Sequence, residues 1–168
     1  MGKSSGVEEL DLQSRAARRI RLLLADDHRE VLEEVRGLLE RQFEIVGSAG
    51  DGQALLSAVE QLRPDAVVSD IKMPLVDGIE AGRRILREGV CAAVILLTMY
   101  NDRRLVHSAL ESGIRGYVLK VDAGEELALA IETVAGGGTY LSRGVPTGLR
   151  DCEAAGDSRG WPRRSRIS

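Results

Sequence analysis

Five times between Arg19 and Leu141 a short apolar run of strand length is followed by a stretch whose apolar residues recur at helical spacing. Ile20–Ala25 leads into Val31, Leu32, Val35, Leu38 and Leu39, and Phe43–Ser48 into Leu55, Leu56, Val59 and Leu62, where Pro64 stops the helix. Ala66–Ser69 precedes a helix over Ile79–Leu86, and Ala92–Leu97 precedes Leu105, Val106, Ala109 and Leu110. Tyr117–Leu119 is the last run, followed by Leu127, Ile131 and Val134 and then by Gly136-Gly137-Gly138. Strands that read as continuous apolar runs are buried on both faces, which requires a parallel sheet with helices on either side. The expected fold is therefore α/β, a doubly wound five-stranded parallel sheet with its working site at the carboxyl ends of the strands.

The flanks differ from this core. Residues 1–18 are polar and read as a flexible leader, and 19–141 as the folded domain. Residues 142–168 hold only Val145, Leu149 and Ile167 among their Leu, Ile, Val and Phe positions, with six arginines against three acids, and read as a disordered tail. The longest apolar run, Cys91–Leu97, is seven residues, far below the roughly 20 that a spanning helix needs. With no apolar leader, the expectation is a cytoplasmic protein that does not enter a membrane. Its two cysteines have no paired spacing and suit free thiols. A net charge of −3 argues against a general nucleic-acid surface.

Reactive side chains collect where the strands stop. Asp26 and Asp27 follow the first, Asp70 the third, Thr98 the fourth and Lys120 the fifth. With strand order 2-1-3-4-5 these ends lie side by side and their residues converge on one pocket. Three carboxylates in one pocket repel one another unless a cation compensates them. A hard divalent ion with oxygen ligands suits, and Mg²⁺ commonly takes few protein ligands. Such an ion could hold a phosphoryl group against Asp70, with Lys120 pairing with Asp70 at rest and with a phosphoryl oxygen afterwards, and with Thr98 donating its hydroxyl.

These residues sit in longer strings. Leu22-Leu23-Leu24-Ala25-Asp26-Asp27-His28, Pro64-Asp65-Ala66-Val67-Val68-Ser69-Asp70-Ile71-Lys72-Met73-Pro74, Leu96-Leu97-Thr98 and Gly116-Tyr117-Val118-Leu119-Lys120 resemble the receiver domain of two-component response regulators, whose fold is flavodoxin-like. Gly113-Ile114-Arg115-Gly116-Tyr117 and Gly138-Thr139-Tyr140-Leu141-Ser142 resemble the NarL/FixJ (LuxR-type) branch. The resemblance covers about residues 20–142. It implies that Asp70 is the phosphoacceptor, that Asp26, Asp27, Asp70 and the Lys72 backbone carbonyl hold Mg²⁺, and that Thr98 and Lys120 contact the phosphoryl group. It also implies that Tyr117 is the aromatic that turns inward when Thr98 moves, and that the surface of the fourth helix and fifth strand is the bistable element. The implied partners are a sensor histidine kinase and, on phosphorylation, a second copy of the chain.

Met99 after Thr98 is larger than many receivers carry there, which restricts access to the phosphate, and Val121 stands where a proline often follows the lysine. The rival reading, a phosphatase or mutase with an aspartyl nucleophile, wants a second aspartate two residues on, where this chain has Lys72. A phosphate-independent pseudo-receiver wants a broken acidic site, and this one is intact. The expectation is thus a signalling switch, not an enzyme. The branch normally continues into a helix-turn-helix domain, whose apolar periodicity residues 142–168 lack, so no sequence-specific DNA binding is expected of this chain. Asp26 and Asp27 could alternatively cap the first helix, and His28 and His107 read as solvent-facing helix residues.

Overall fold

A computed structural model describes residues 18–146. Six strands and five α-helices alternate through it: β1 (Arg21–Ala25), α1 (Arg29–Leu39), β2 (Glu44–Ala49), α2 (Gly52–Leu62), β3 (Ala66–Ser69), α3 (Gly78–Glu88), β4 (Ala93–Thr98), α4 (Arg103–Glu111), β5 (Gly116–Leu119), α5 (Ala123–Ala135) and β6 (Tyr140–Leu141). A single 3-10 turn, Lys120–Asp122, joins β5 to α5. The strand order is β2-β1-β3-β4-β5-β6, every pairing being parallel. The doubly wound order expected from the sequence is therefore present, with one strand added at the β5 edge.

Alternate residues of each strand feed two cores. Leu23, Val67, Val94, Leu96 and Leu119 face α2, α3 and α4, packing with Leu55, Val59, Ala81, Ile85, Val106 and Ala109. Leu22, Leu24, Val68, Ile95, Leu97 and Val118 face α1 and α5, against Val35, Leu39, Leu127 and Ile131. All six residues of β4 are buried, as a central strand covered on both faces must be. Each fully buried Leu or Ile contributes about 1.5–3 kcal/mol relative to an exposed one.

Aspartates start three of the helices. Asp51, Asp77 and Asp102 each accept a backbone N–H of the first turn, at 2.7–2.8 Å. The first and last helices are the exceptions, since their N-cap residues, His28 and Asp122, make no side-chain cap bond. Asp26 and Asp27 are thus not spent on capping.

Packing also carries on past the expected end of the domain at residue 141. Ser142 and Val145 are buried, because β6 lays the chain along β5 and brings Val145 down onto its apolar face. Residues 1–17 and 147–168, which hold most of the expected leader and tail and Cys152, lie outside the described residues. Cys91 is free and buried, and burial pushes its thiol up. Among the described residues no helix is long and apolar enough to cross a membrane.

Candidate functional site

Parallel pairing aligns the strand ends. Ala25 lies opposite Ser69, Ser69 opposite Leu96, and Thr98 opposite Leu119. The next residues along, Asp26, Asp70 and Lys120, therefore emerge side by side. The backbone locks the first two in place, with Asp26 N–H donating to Ala49 O at 3.1 Å and Asp70 N–H to Ala25 O at 2.9 Å. Asp26 is 4% exposed and Asp70 7%. Gly78 closes α3 onto this corner, its N–H donating to Ile71 O at 2.7 Å. A Cβ there would stand 1.9 Å from Asp70 O.

Lys120 bridges the two buried carboxylates. Its Nζ lies 2.9 Å from Asp26 Oδ2 and 3.3 Å from Asp70 Oδ2. Asp70 Oδ1 accepts the Ile71 N–H at 2.8 Å. Burial raises the Asp70 carboxyl above its ordinary value; Lys120 opposes this and the charge of Asp26 adds to it. Burial pulls the other way on Lys120, but its bond to Asp26 and the charges of both aspartates outweigh it and hold the ammonium above its usual value. The lysine is thus firmly cationic between two acids.

His28 enters the site from a direction that its sequence position did not suggest. It remains solvent-exposed, yet its Nδ1 lies 3.2 Å from Asp26 Oδ1 and 3.0 Å from Asp27 Oδ1. Its backbone N–H also donates to Asp26 Oδ1 at 2.8 Å. Only the run Asp26-Asp27-His28 itself could have signalled this. One ligand atom from each of Asp26, Asp27, His28 and Asp70 lies within 4.8 Å of all the others. The cluster can hold a metal ion. Three carboxylate donors at one corner, with Asp26 and Asp70 buried and Asp27 exposed, fit a hard divalent cation, and they are the three aspartates expected to hold Mg²⁺.

Thr98 and Tyr117 form a second group, tied through a residue that the sequence did not single out. Tyr100 N–H donates to Thr98 Oγ1 at 3.2 Å, and Tyr117 OH donates to the Tyr100 carbonyl. Tyr117 is already turned inward and fully buried, and burial pushes its phenol well up. The Lys72 ammonium lies 4.5 Å from the centre of the Tyr100 ring, a cation–π contact across the loops after β3 and β4. Tyr100 acts through backbone groups, which leave no mark in a sequence. Met99, at 76% exposed, points to solvent.

The response regulator receiver domain family matches residues 22–132. The chain is 41% identical over 129 residues to the transcriptional regulatory protein MctR of Rhizobium johnstonii, covering 76% of this chain and 60% of that protein. It is 37% identical over 128 residues to the transcriptional regulatory protein LiaR of Bacillus subtilis, covering 75% and 61%. The chain thus spans about 60% of the length of these relatives. Among solved structures, a LuxR-family two-component response regulator from Aurantimonas superposes with a TM-score of 0.74 at 31% identity, over 80% of this chain and 97% of that one. The isolated REC domain of RcsB from Salmonella enterica, solved with the phosphomimetic BeF3-, gives 0.68 at 29% identity, over 76% and 96%.

Proposed function

This chain belongs to the response regulator receiver family, and on that premise we propose that Asp70 accepts a phosphoryl group from a sensor histidine kinase. One Asp70 carboxylate oxygen attacks the phosphorus of a phosphorylated imidazole. The O–P bond forms as the P–N bond breaks, and the imidazole leaves with that electron pair and takes up a proton. Asp26, Asp27, Asp70 and the Lys72 backbone carbonyl would hold Mg²⁺, which when bound would supply the positive charge that lets two anions approach. Lys120 then exchanges its carboxylate partners for a phosphoryl oxygen. Thr98 keeps its hydroxyl hydrogen free to donate to another, since its oxygen accepts rather than donates in the bond to Tyr100.

The observation that carries this reading is the salt bridge from Lys120 to two buried aspartates, one of them at the end of β3. A charge arrangement so costly to bury suits a site whose partners are meant to be exchanged. Tyr117 and the surface of α4 and β5 pass the change to a partner, including a second copy of the chain. MctR and LiaR are transcriptional regulators, and control of transcription is the output proposed for the system this receiver serves. Sequence-specific DNA binding is not proposed for the chain itself.

The test is incubation with a small acyl phosphate and Mg²⁺, followed by intact mass and a gel that retards phosphoproteins. One phosphoryl group is expected on the wild type and none on Asp70→Asn. Labelling that persists in Asp70→Asn, or that needs no divalent ion, overturns the reading.

A further inference from the structure

The residues after α5 form a strap along the free edge of β5. Tyr140 N–H donates to Arg115 O and Ser142 N–H to Tyr117 O, both at 2.8 Å, and Val145 N–H donates to Ser142 O at 3.0 Å. Leu141 and Val145 pack in the same apolar cluster as Tyr117 and Leu119. Gly144 lies so close that a Cβ there would stand 2.5 Å from Leu119 Cδ1. The strap thus rests on the last residue of β5, next to Lys120.

Its polar fastening lies outside the phosphoacceptor site. Ser142 Oγ is 2.6 Å from Glu126 Oε2 and 2.7 Å from Asp122 Oδ2. A hydroxyl has one hydrogen to give, so the two carboxylates compete for it, and whichever is refused faces an oxygen lone pair. Glu126 has other donors, since Arg143 Nε reaches its Oε1 at 2.9 Å and Arg143 N–H lies 3.3 Å away. Asp122, in contrast, occupies the other end of the 3-10 turn that begins at Lys120. A single turn of backbone therefore joins the site lysine to one of the two carboxylates that meet the Ser142 hydroxyl.

We propose that this strap is a second output of the switch, loosened through Asp122 and Ser142 when Lys120 changes partners, and carrying the signal into the chain that follows residue 146. The proposal rests on the Asp70 reading. When Lys120 leaves Asp26 and Asp70 for a phosphoryl oxygen, the turn that carries Asp122 moves with it. The two contacts of Ser142 are so nearly equal that a small displacement hands its hydrogen to Glu126. The Ser142 side chain is then held from α5 alone, the backbone bonds to β5 bear more of the load, and the seat on Leu119 weakens.

The test is amide hydrogen exchange on the full chain with Mg²⁺, with and without a small acyl phosphate, read at residues 140–145 and paired with intact mass. In phosphorylated wild type these amides exchange about tenfold faster, the scale expected when local opening loses one hydrogen bond. Ser142→Ala exchanges fast in both conditions. Asp122→Asn, whose amide can itself donate to Ser142 and so ends the competition, stays slow and responds by less than about twofold; it serves also if Ser142→Ala fails to fold. Phosphorylated wild type with an unmoved strap overturns this proposal alone. Absence of the phosphoryl group overturns the Asp70 reading and this proposal with it.

Discussion

The ammonium of Lys120 lies nearer to Asp26, at 2.9 Å, than to Asp70, at 3.3 Å. The lysine therefore neutralises the pair of acids rather than one of them. Lys120→Met keeps the length of the side chain and removes the charge, leaving two buried carboxylates to repel each other. The lysine side chain retains 19% exposure, so we expect a loss of about 2 kcal/mol at pH 7, below the range for fully buried pairs. The loss shrinks as pH falls and Asp70, already above its ordinary value, takes up a proton. Urea denaturation without divalent ions from pH 7 to pH 4 measures it; equal midpoints for variant and wild type would show that the bridge carries no stability.

Asp70→Asn moves stability the other way. Burial and then the Asp26 charge hold the Asp70 carboxyl above its unfolded value, against the opposing pull of Lys120. A carboxyl with a raised folded pKa penalises folding at pH above the unfolded value, near 4, and the penalty vanishes as pH falls below it. Asparagine is free of the penalty and can still accept the Ile71 N–H. The variant should be more stable than wild type by up to about 1 kcal/mol at pH 7 and indistinguishable from it at pH 3, while accepting no phosphoryl group. Thermal unfolding of both proteins without divalent ions checks the sign, and a less stable variant at pH 7 contradicts it.

The sheet order and the acidic corner were legible because both rest on simple physics. Buried parallel strands must be apolar throughout, as Ala93–Thr98 is up to its final residue, and parallel strands must present Asp26, Asp70 and Lys120 at the same end. What escaped has no such signature. Tyr140–Leu141 is too short to read as a strand and becomes one only because β5 offers an unpaired edge. Glu126 reads as a solvated helix residue, yet it is 2% exposed, with its partners Ser142 and Arg143 arriving from beyond the helix. Tyr100 joins Thr98 to Tyr117 through backbone atoms, which every residue carries alike.

That buried Glu126 gives the acid limb of the stability curve a definite test. Burial raises its carboxyl, but the bonds from Ser142 and Arg143 outweigh this and hold it below its ordinary value. A depressed carboxyl contributes stability that is full above the unfolded value, about 4.3, and is lost as pH falls through the lower folded one. Glu126→Gln should therefore be less stable than wild type at pH 7, and the gap should close below about pH 4. Denaturant midpoints across pH 3–7 measure the gap. A gap that stays constant over that range would mean that the charge of Glu126 does not fasten the strap.

Gly78 ties the fold to the chemistry most directly. The position of a Cβ at residue 78 is already filled by the Asp70 carbonyl oxygen, 1.9 Å away. Backbone on both sides of the contact leaves nothing flexible to give way. Gly78→Ala must push α3 off the end of β3 or displace Asp70 itself, and overpacking of this kind costs about 3 kcal/mol or more. The Gly78 N–H bond to Ile71 O, at 2.7 Å, is stretched with it. Gly124 is the control, since a Cβ there meets nothing within 4 Å and lies within α5. Gly124→Ala should gain up to about 1 kcal/mol from helix propensity and accept phosphate at the wild-type rate. Urea midpoints and phosphorylation rates for the two variants separate a general intolerance of alanine from a steric demand made at Asp70. If Gly78→Ala keeps both at wild-type values, the close approach of α3 to the phosphoacceptor is not what holds it in place.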